Sequence, residues 1–305
     1  MIARAARSAL EESLEDRIRF GVPLAKHTSL RIGGPADALA VPADRVELSR
    51  LLTVCALHRI PHWVLGAGFN TLVLDAGAEG VAIQLSRFRR LEERPGGALR
   101  AEAGVSHARL TRFCVERGLA GLEFGAGIPG TVGGWTAMNA GIGPREVKDA
   151  VLEIEVMSPT GTWVRHLSRD TLRFTYRALR GLAPGSVIVS TLFGVTPSTA
   201  EAVRAVIEPQ LARRAATQPL DVPSCGSVFK NPPGDFAGRL IEAAGLKGLR
   251  VGGAEISTVH ANFIVNRGGA QAADVLALIE RARAAVREAT GRTLELEVRI
   301  VGRGR

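Results

Sequence analysis

Seven of the twenty-one residues from Gly121 to Gly141 are glycine, set among Leu122, Phe124, Ile128, Val132, Trp135 and Met138. Each glycine lowers both helix and strand propensity, so neither an ordinary helix nor an ordinary strand is expected there. A flexible linker would be polar, and this stretch is apolar. Missing side chains among apolar neighbours make physical sense where backbone packs closely on backbone, or where a large flat ligand lies against it. Ligand contact is the reading we carry forward, and the rest of the chain must build a fold around it.

With 305 residues, two domains are expected, and an apolar content of 46% is ample for packed cores. The formal net charge of +9 favours anionic partners. The basic residues are nevertheless scattered, and Lys26, Lys148, Lys230 and Lys247 are the only lysines. There is no basic run, and one tyrosine with few other aromatics offers little surface for stacking bases. We read the charge as genomic bias plus small anionic ligands and expect no nucleic-acid partner. Cys55, Cys114 and Cys225 are odd in number, widely spaced and form no CxxC, so neither a disulfide framework nor a metal site is expected. Residues 1–19 mix acidic and basic side chains without an apolar core, and no window is long enough to span a bilayer. A cytoplasmic protein without a membrane partner is the expectation.

Along the chain, residues 1–20 pattern as an amphipathic helix, and 38–41 as a short strand. Residues 44–58 pattern as a helix capped by Asp44, with Val46, Leu48, Leu51, Leu52 and Cys55 periodic. A strand over 62–65 runs into Gly66-Ala67-Gly68-Phe69-Asn70-Thr71. This turn fails the dinucleotide fingerprint, because the third glycine is missing and Leu72-Val73-Leu74 continues as strand rather than helix. Its N–H groups could still cradle a phosphate; a tight hairpin turn would look the same. Further strands are expected at 81–85, 99–105, 151–157, 162–166, 187–195, 260–266 and 294–301. Helices are expected at 107–116, at 200–214 with Val203, Val206, Ile207 and Leu211 inward, and at 271–289.

The second unusual stretch is Pro223-Ser224-Cys225-Gly226-Ser227-Val228-Phe229-Lys230-Asn231-Pro232. It places hydroxyls and a thiol against a glycine, then a cation and an amide, and we locate the chemistry here. The stretch is too polar for a core strand, and the helix beginning near Ala237 could turn its N-terminus to an anion.

Taken together, Thr28–Asp37, Leu65–Gly77, Gly121–Gly141 and Gln218–Asn231, followed by His260–Asn266 and Leu294–Gly302, resemble the UDP-N-acetylenolpyruvoylglucosamine reductase family in content and in order. The resemblance covers nearly all of the chain beyond residue 20, and the length is that of the shorter subtype, which lacks an extra substrate-covering loop. It implies an α+β protein with a bilobed FAD-binding domain of the vanillyl-alcohol-oxidase (PCMH) type over residues 1–196, with lobes of about 20–75 and 76–196. An α/β substrate-binding domain would follow over 197–305. It also implies noncovalent FAD, NADPH as hydride donor, a UDP-sugar substrate and a monomer. The flavin would be lined by Arg31, Gly66, Gly68, Asn70, Thr71, Gly127, Ile128, Pro129, Gly130, Thr131, Asn139, Ala140 and Gly141. Substrate contacts would come from Tyr176, Arg214, Gln218, Lys230 and Asn231.

The resemblance further assigns Arg177 as the cation at the substrate carboxylate, Glu297 as the group steadying developing charge or relaying the proton, and Ser227 as the proton donor. Glu295 alternates with Glu297, and Cys225 is on paper the more reactive side chain beside Ser227. Three departures stand out: Ala67 and Phe69 replace small or polar members of the flavin turn, and Leu179 replaces a serine two residues after Arg177. Two rival functions share parts of this pattern. One is an oxygen-using flavin oxidase on the same fold; the other is a binding module for nucleotide sugars or nucleic acid.

Overall fold

The computed structural model describes residues 2–303, which form two compact units. The first comprises the chain up to Phe20, Ala38–Gly66 and Gly80–Arg213; the second comprises Gly21–Asp37, Ala67–Glu79 and the chain from Arg214 on. These units do not follow the expected boundary at residue 196: residues 197–213 belong to the first, and two segments from before residue 80 belong to the second.

In the first unit a five-stranded antiparallel sheet runs in the order Val164–Ser168, Val151–Met157, Val187–Gly194, Ala98–Glu102, Leu91–Arg94. Leu99, Ala101, Ile154, Val156 and Phe193 bury its inner face with Leu110 and Cys114 of the helix His107–Arg117. That helix starts at Ser106, whose hydroxyl accepts the Arg109 N–H, and ends at left-handed Gly118. The helix Arg45–Leu57 is capped as expected: the Asp44 carboxylate accepts the N–H groups of Val46 and Glu47 at 2.8 and 3.0 Å. Leu48, Leu51, Leu52 and Cys55 are buried, and Val46 is exposed.

The second unit has a four-stranded antiparallel sheet in the order Ser224–Ser227, Phe263–Asn266, Ala254–Ile256, Arg250–Val251. The helix Ala272–Thr290 buries Val275, Leu278, Ile279, Ala282 and Val286, the spacing of a single apolar stripe. Its N-terminus is held from a distance in sequence, since the Asp75 carboxylate accepts from Ala272 and Ala273 at 2.8 and 3.0 Å. Thr71–Val73 and Arg299–Val301 pair in parallel, Thr71 opposite Arg299.

Several expectations are corrected. Within the glycine-dense segment, Val132–Met138 is a helix despite Gly133 and Gly134. Tertiary packing overrides propensity here: a Cβ on Gly133 would lie 2.9 Å from the Ala103 Cβ, and the Val132 and Gly133 N–H groups donate to Val105 and Ala103 carbonyls at 2.9 Å. Gly125 admits the Trp135 indole, whose ring would sit 1.9 Å from any Cβ there. The turn at 66–71 is no hairpin, because its flanking strands pair in parallel with Val81–Ile83 and Arg299–Val301 respectively. Ser224–Ser227 is a strand after all, made possible by its edge position and by an irregular register at Gly226, where φ is 75°. At the N-terminus the helix is Arg4–Leu14 and Ile18–Pro23 is a strand. The later helix runs Ala200–Thr217 with Pro209 inside it, and only Val203 and Ile207 are buried; Val206 and Leu211 face solvent.

Candidate active site

In the first unit, Arg177 lies in the two-residue turn between the strands Arg173–Thr175 and Ala178–Arg180. Its φ is 57°, a left-handed conformation that a non-glycine residue adopts only at some cost in strain. The guanidinium is fixed by Glu146 Oε1 at 3.5 Å and by the Gly141 carbonyl at 3.2 Å, and it lies 4.7 Å from the ring centre of the exposed Tyr176. Asn139, also left-handed and completely buried, is spent within the protein. Its amide donates to Glu146 at 2.8 Å and to the Thr175 carbonyl at 3.0 Å, and its oxygen accepts the Lys148 N–H at 2.9 Å. The Asn139 side chain thereby shapes the segment that leads into Ala140 and Gly141. Leu179, the departure after Arg177, packs on the apolar core of this unit.

Gly66 and Thr131 come together as expected, the Thr131 hydroxyl 3.3 Å from where a Cβ on Gly66 would be. Among the described residues, no protein acceptor takes the N–H of Gly127, Gly130 or Thr131, whereas Ile128 donates to the Gly125 carbonyl at 2.9 Å. Gly130, at φ 111°, opens onto space with nothing within 4 Å of a Cβ.

In the second unit, Ser227 and Glu297 are brought together through the backbone. Glu297 donates its N–H to the Val228 carbonyl at 2.8 Å, Lys230 donates to the Glu295 carbonyl at 2.9 Å, and Phe229 bridges Leu296. This antiparallel pairing turns Glu295 outward, with 76% of its side chain exposed, and leaves Glu297 half-buried. The Lys230 ammonium reaches the Glu295 carboxylate at 3.3 Å. Cys225 is buried, and burial pushes its thiol up to about 12, which leaves it protonated and inert at neutral pH.

The expected anion site at the helix Ala237–Ala243 is also corrected. Asn231 Oδ1 accepts the Ala237 N–H at 3.1 Å and Asp235 accepts that of Phe236 at 2.7 Å, so its leading donors are already used. The Asn231 side chain is a cap for that helix. Arg214 is different. Among the described residues its one side-chain partner is Gln218, at 2.7 Å, and burial lowers its pKa below the ordinary arginine value. A desolvated guanidinium without a carboxylate beside it suits an incoming anion.

The turn at 67–71 is tied to both ends of this unit. Ser29 Oγ lies 3.0 Å from the Gly68 carbonyl and 2.6 Å from the Ser224 carbonyl, while Asn70 donates to the Glu297 carbonyl at 3.1 Å. Gly68 is required by close approach, since a Cβ would lie 2.4 Å from the His27 oxygen. No protein acceptor takes the N–H of Ala67, Gly68 or Phe69 among the described residues, and Arg31 is exposed with φ 57°. Unclaimed N–H groups on glycine turns fit the anionic pyrophosphate of a dinucleotide flavin.

Three residues escaped the sequence reading. Ser29 and Asn262 stood inside quoted motifs and Glu146 just after one, but nothing in the pattern singled them out. Asn262 is buried and clasps the Phe229 peptide on both sides, accepting its N–H at 2.9 Å and donating to its carbonyl at 2.8 Å.

Residues 36–166 match the family model described as FAD binding domain, and residues 218–301 match that of the UDP-N-acetylenolpyruvoylglucosamine reductase C-terminal domain. The UDP-N-acetylenolpyruvoylglucosamine reductase of Geotalea uraniireducens is 44% identical over 296 residues, covering 97% of this chain and 98% of that one. That of Anaeromyxobacter dehalogenans strain 2CP-C is 48% identical over 297 residues, covering 97% and 88%. This chain belongs to the UDP-N-acetylenolpyruvoylglucosamine reductase family. Among solved structures, the family member from Thermus caldophilus superposes with a TM-score of 0.81 at 38% identity, over 93% of this chain and 99% of that one. A berberine bridge enzyme variant, at 14% identity and a TM-score of 0.51, shares the fold over 64% of this chain. The family's fold class is the one anticipated: a flavin domain of the oxidase type joined to a C-terminal domain.

Proposed function

We propose that this protein reduces the enolpyruvyl ether of UDP-N-acetylenolpyruvoylglucosamine to UDP-N-acetylmuramate, using FAD and NADPH, as a cytoplasmic step in making peptidoglycan precursors. The observation that carries the reading is near full-length identity of 44% to a reductase of that name, with Arg177, Ser227 and Glu297 standing where the family resemblance assigns its catalytic groups. We assign flavin binding to residues 1–196 and substrate binding to 197–305, and we expect a monomer.

A bound flavin reduced by NADPH would supply the hydride that C3 of the enolpyruvyl group accepts. Hydride addition at C3 leaves negative charge on C2 that spreads into the carboxylate, so the residues have three tasks. Arg177 pairs with the carboxylate; its guanidinium is already oriented by Glu146 and Gly141. Ser227 delivers its hydroxyl proton to C2. A serine hydroxyl is a weak acid, and the Lys230 charge lowers the cost of the alkoxide left behind. Glu297 steadies the developing charge or returns the proton to Ser227. Arg214 and Gln218 take the diphosphate, consistent with a desolvated arginine that has no carboxylate beside it. Gly66, Gly68, Asn70, Thr71 and Arg31, with Gly127 to Thr131 and Ala140 to Gly141, line the flavin, largely through backbone groups.

The test separates the two half-reactions. Purified protein should be yellow, should lose its colour with NADPH, and should regain it on adding the enolpyruvyl sugar nucleotide. Rapid recolouring in air without that substrate would favour an oxidase, and a colourless protein would sink the flavin assignment.

A further inference from the structure

Glu146 is a buried carboxylate in the first unit with more partners than a structural cap requires. One oxygen accepts from Asn139 at 2.8 Å and from the Lys148 ammonium at 2.9 Å; the other faces Arg177 at 3.5 Å. The Asp149 N–H also bonds to this side chain, and the Asp149 carboxylate takes the Glu146 N–H at 2.8 Å in a reciprocal box. A carboxylate has about four lone-pair directions, and four donors surround this one. It is thereby unsuited to moving protons and well suited to holding things still.

What it holds is the segment bearing Arg177. Glu146 pairs with Gly141 in the short hairpin of Gly141–Ile142 with Arg145–Glu146, and the Gly141 carbonyl is the other acceptor for Arg177, at 3.2 Å. Asn139, its amide partner, also donates to the Thr175 carbonyl at the foot of the Arg177 turn. The left-handed backbone of Arg177 and of Asn139, φ 57° and 44°, is thus held from the same carboxylate. Strained backbone persists only where surrounding bonds over-determine it.

We infer that Glu146 is the positioning residue for Arg177, fixing the guanidinium and its turn in the orientation that receives the substrate carboxylate. This inference rests on the reading of Arg177 as the carboxylate cation. Glu146→Gln keeps the shape and one oxygen acceptor but removes the charge and turns a second acceptor into a donor facing Lys148 or Arg177.

The test uses the FAD-loaded full chain, stopped-flow absorbance of each half-reaction, titration of the flavin spectrum with UDP-N-acetylenolpyruvoylglucosamine, and a melting curve. For Glu146→Gln we expect reoxidation by the sugar nucleotide to slow about 10- to 100-fold and its apparent Kd to rise, with flavin reduction by NADPH within about twofold of the parent; these are order-of-magnitude expectations for loss of a positioning contact. In an Arg177→Lys background the same substitution should cost almost nothing further. Reoxidation within twofold of the parent overturns the inference. So does an equal loss in both half-reactions, or full additivity with Arg177→Lys, either of which marks a merely structural role. If Glu146→Gln does not fold, Glu146→Asp, which keeps the charge on a shorter arm, carries the same measurements and the same criteria. If Arg177→Lys alone leaves reoxidation intact, the assignment of Arg177 fails, which is a different result from the failure of Glu146.

Discussion

The two units place their reactive side chains by different means. In the first, Arg177 is held by side chains: a buried carboxylate, a buried amide and a lysine converge on a strained turn. In the second, Ser227 and Glu297 are set by backbone pairing, with Val228, Phe229 and Lys230 laid against Glu295, Leu296 and Glu297. A side-chain clamp is tuned by charge and fails when one member is neutralised. Backbone pairing is indifferent to most side chains and fails only where a buried peptide loses its partner. The first kind of placement is sensitive to conservative substitution and the second is robust to it.

Five substitutions break or sharpen that contrast. The largest effect is expected from Ser227→Ala, which removes the proton donor and leaves the backbone pairing intact. Reoxidation by substrate should fall about 10²- to 10⁴-fold while flavin reduction is unchanged; near-normal reoxidation in stopped flow would remove Ser227 from its role. Asn262→Ala comes next, since it strands both the N–H and the carbonyl of the buried Phe229 peptide. Destabilisation of about 3 kcal/mol is expected, lowering the melting temperature by roughly 6–10 °C. A melt like the parent's would show that water or a neighbour replaces the amide.

Gly125→Ala tests packing in the first unit, where the added methyl would collide with the Trp135 ring. A loss of about 1–3 kcal/mol is expected from overpacking, against little for Gly96→Ala at an open turn beyond its own backbone strain. Thermal melts of the pair decide it. The smallest effect concerns acid. Burial pushes the Glu155 carboxyl up, but hydrogen bonds from Arg45 and Ser190 and the Arg45 charge outweigh it, and the net pKa lies below the usual glutamate value. A depressed folded-state pKa adds stability that is fully present above the ordinary carboxylate pKa and is lost as pH falls through the folded value. Glu155→Gln should therefore flatten the fall of melting temperature on acidification below about pH 4.5. An unchanged acid slope would assign it to other carboxylates.

Much of the fold was legible. Asp44 marks a helix start with its side-chain acceptor, and periodic apolar residues mark the helices Arg45–Leu57 and Ala272–Thr290. What failed shares one cause. Propensity excluded a helix at Val132–Met138, polarity excluded a strand at Ser224–Ser227, and periodicity turned Val206 and Leu211 inward. In each case a neighbour distant in sequence decided: Ala103 beneath Gly133, Phe263–Asn266 beside the edge strand, and a buried face around Val203 and Ile207 narrower than the apolar stripe.

By itself the sequence determined the family and the flavin, because ordered motifs and side-chain chemistry are one-dimensional information. Only the tertiary structure decided which side chains are spent inside the protein and which remain for ligands. Asn139 turns inward as a brace, Asn231 caps the helix Ala237–Ala243, Cys225 is silenced by burial, and Glu146 emerges as the hub beneath Arg177. The physical reason is that a donor or acceptor is defined by what lies within about 3 Å of it, and no linear pattern records that neighbour.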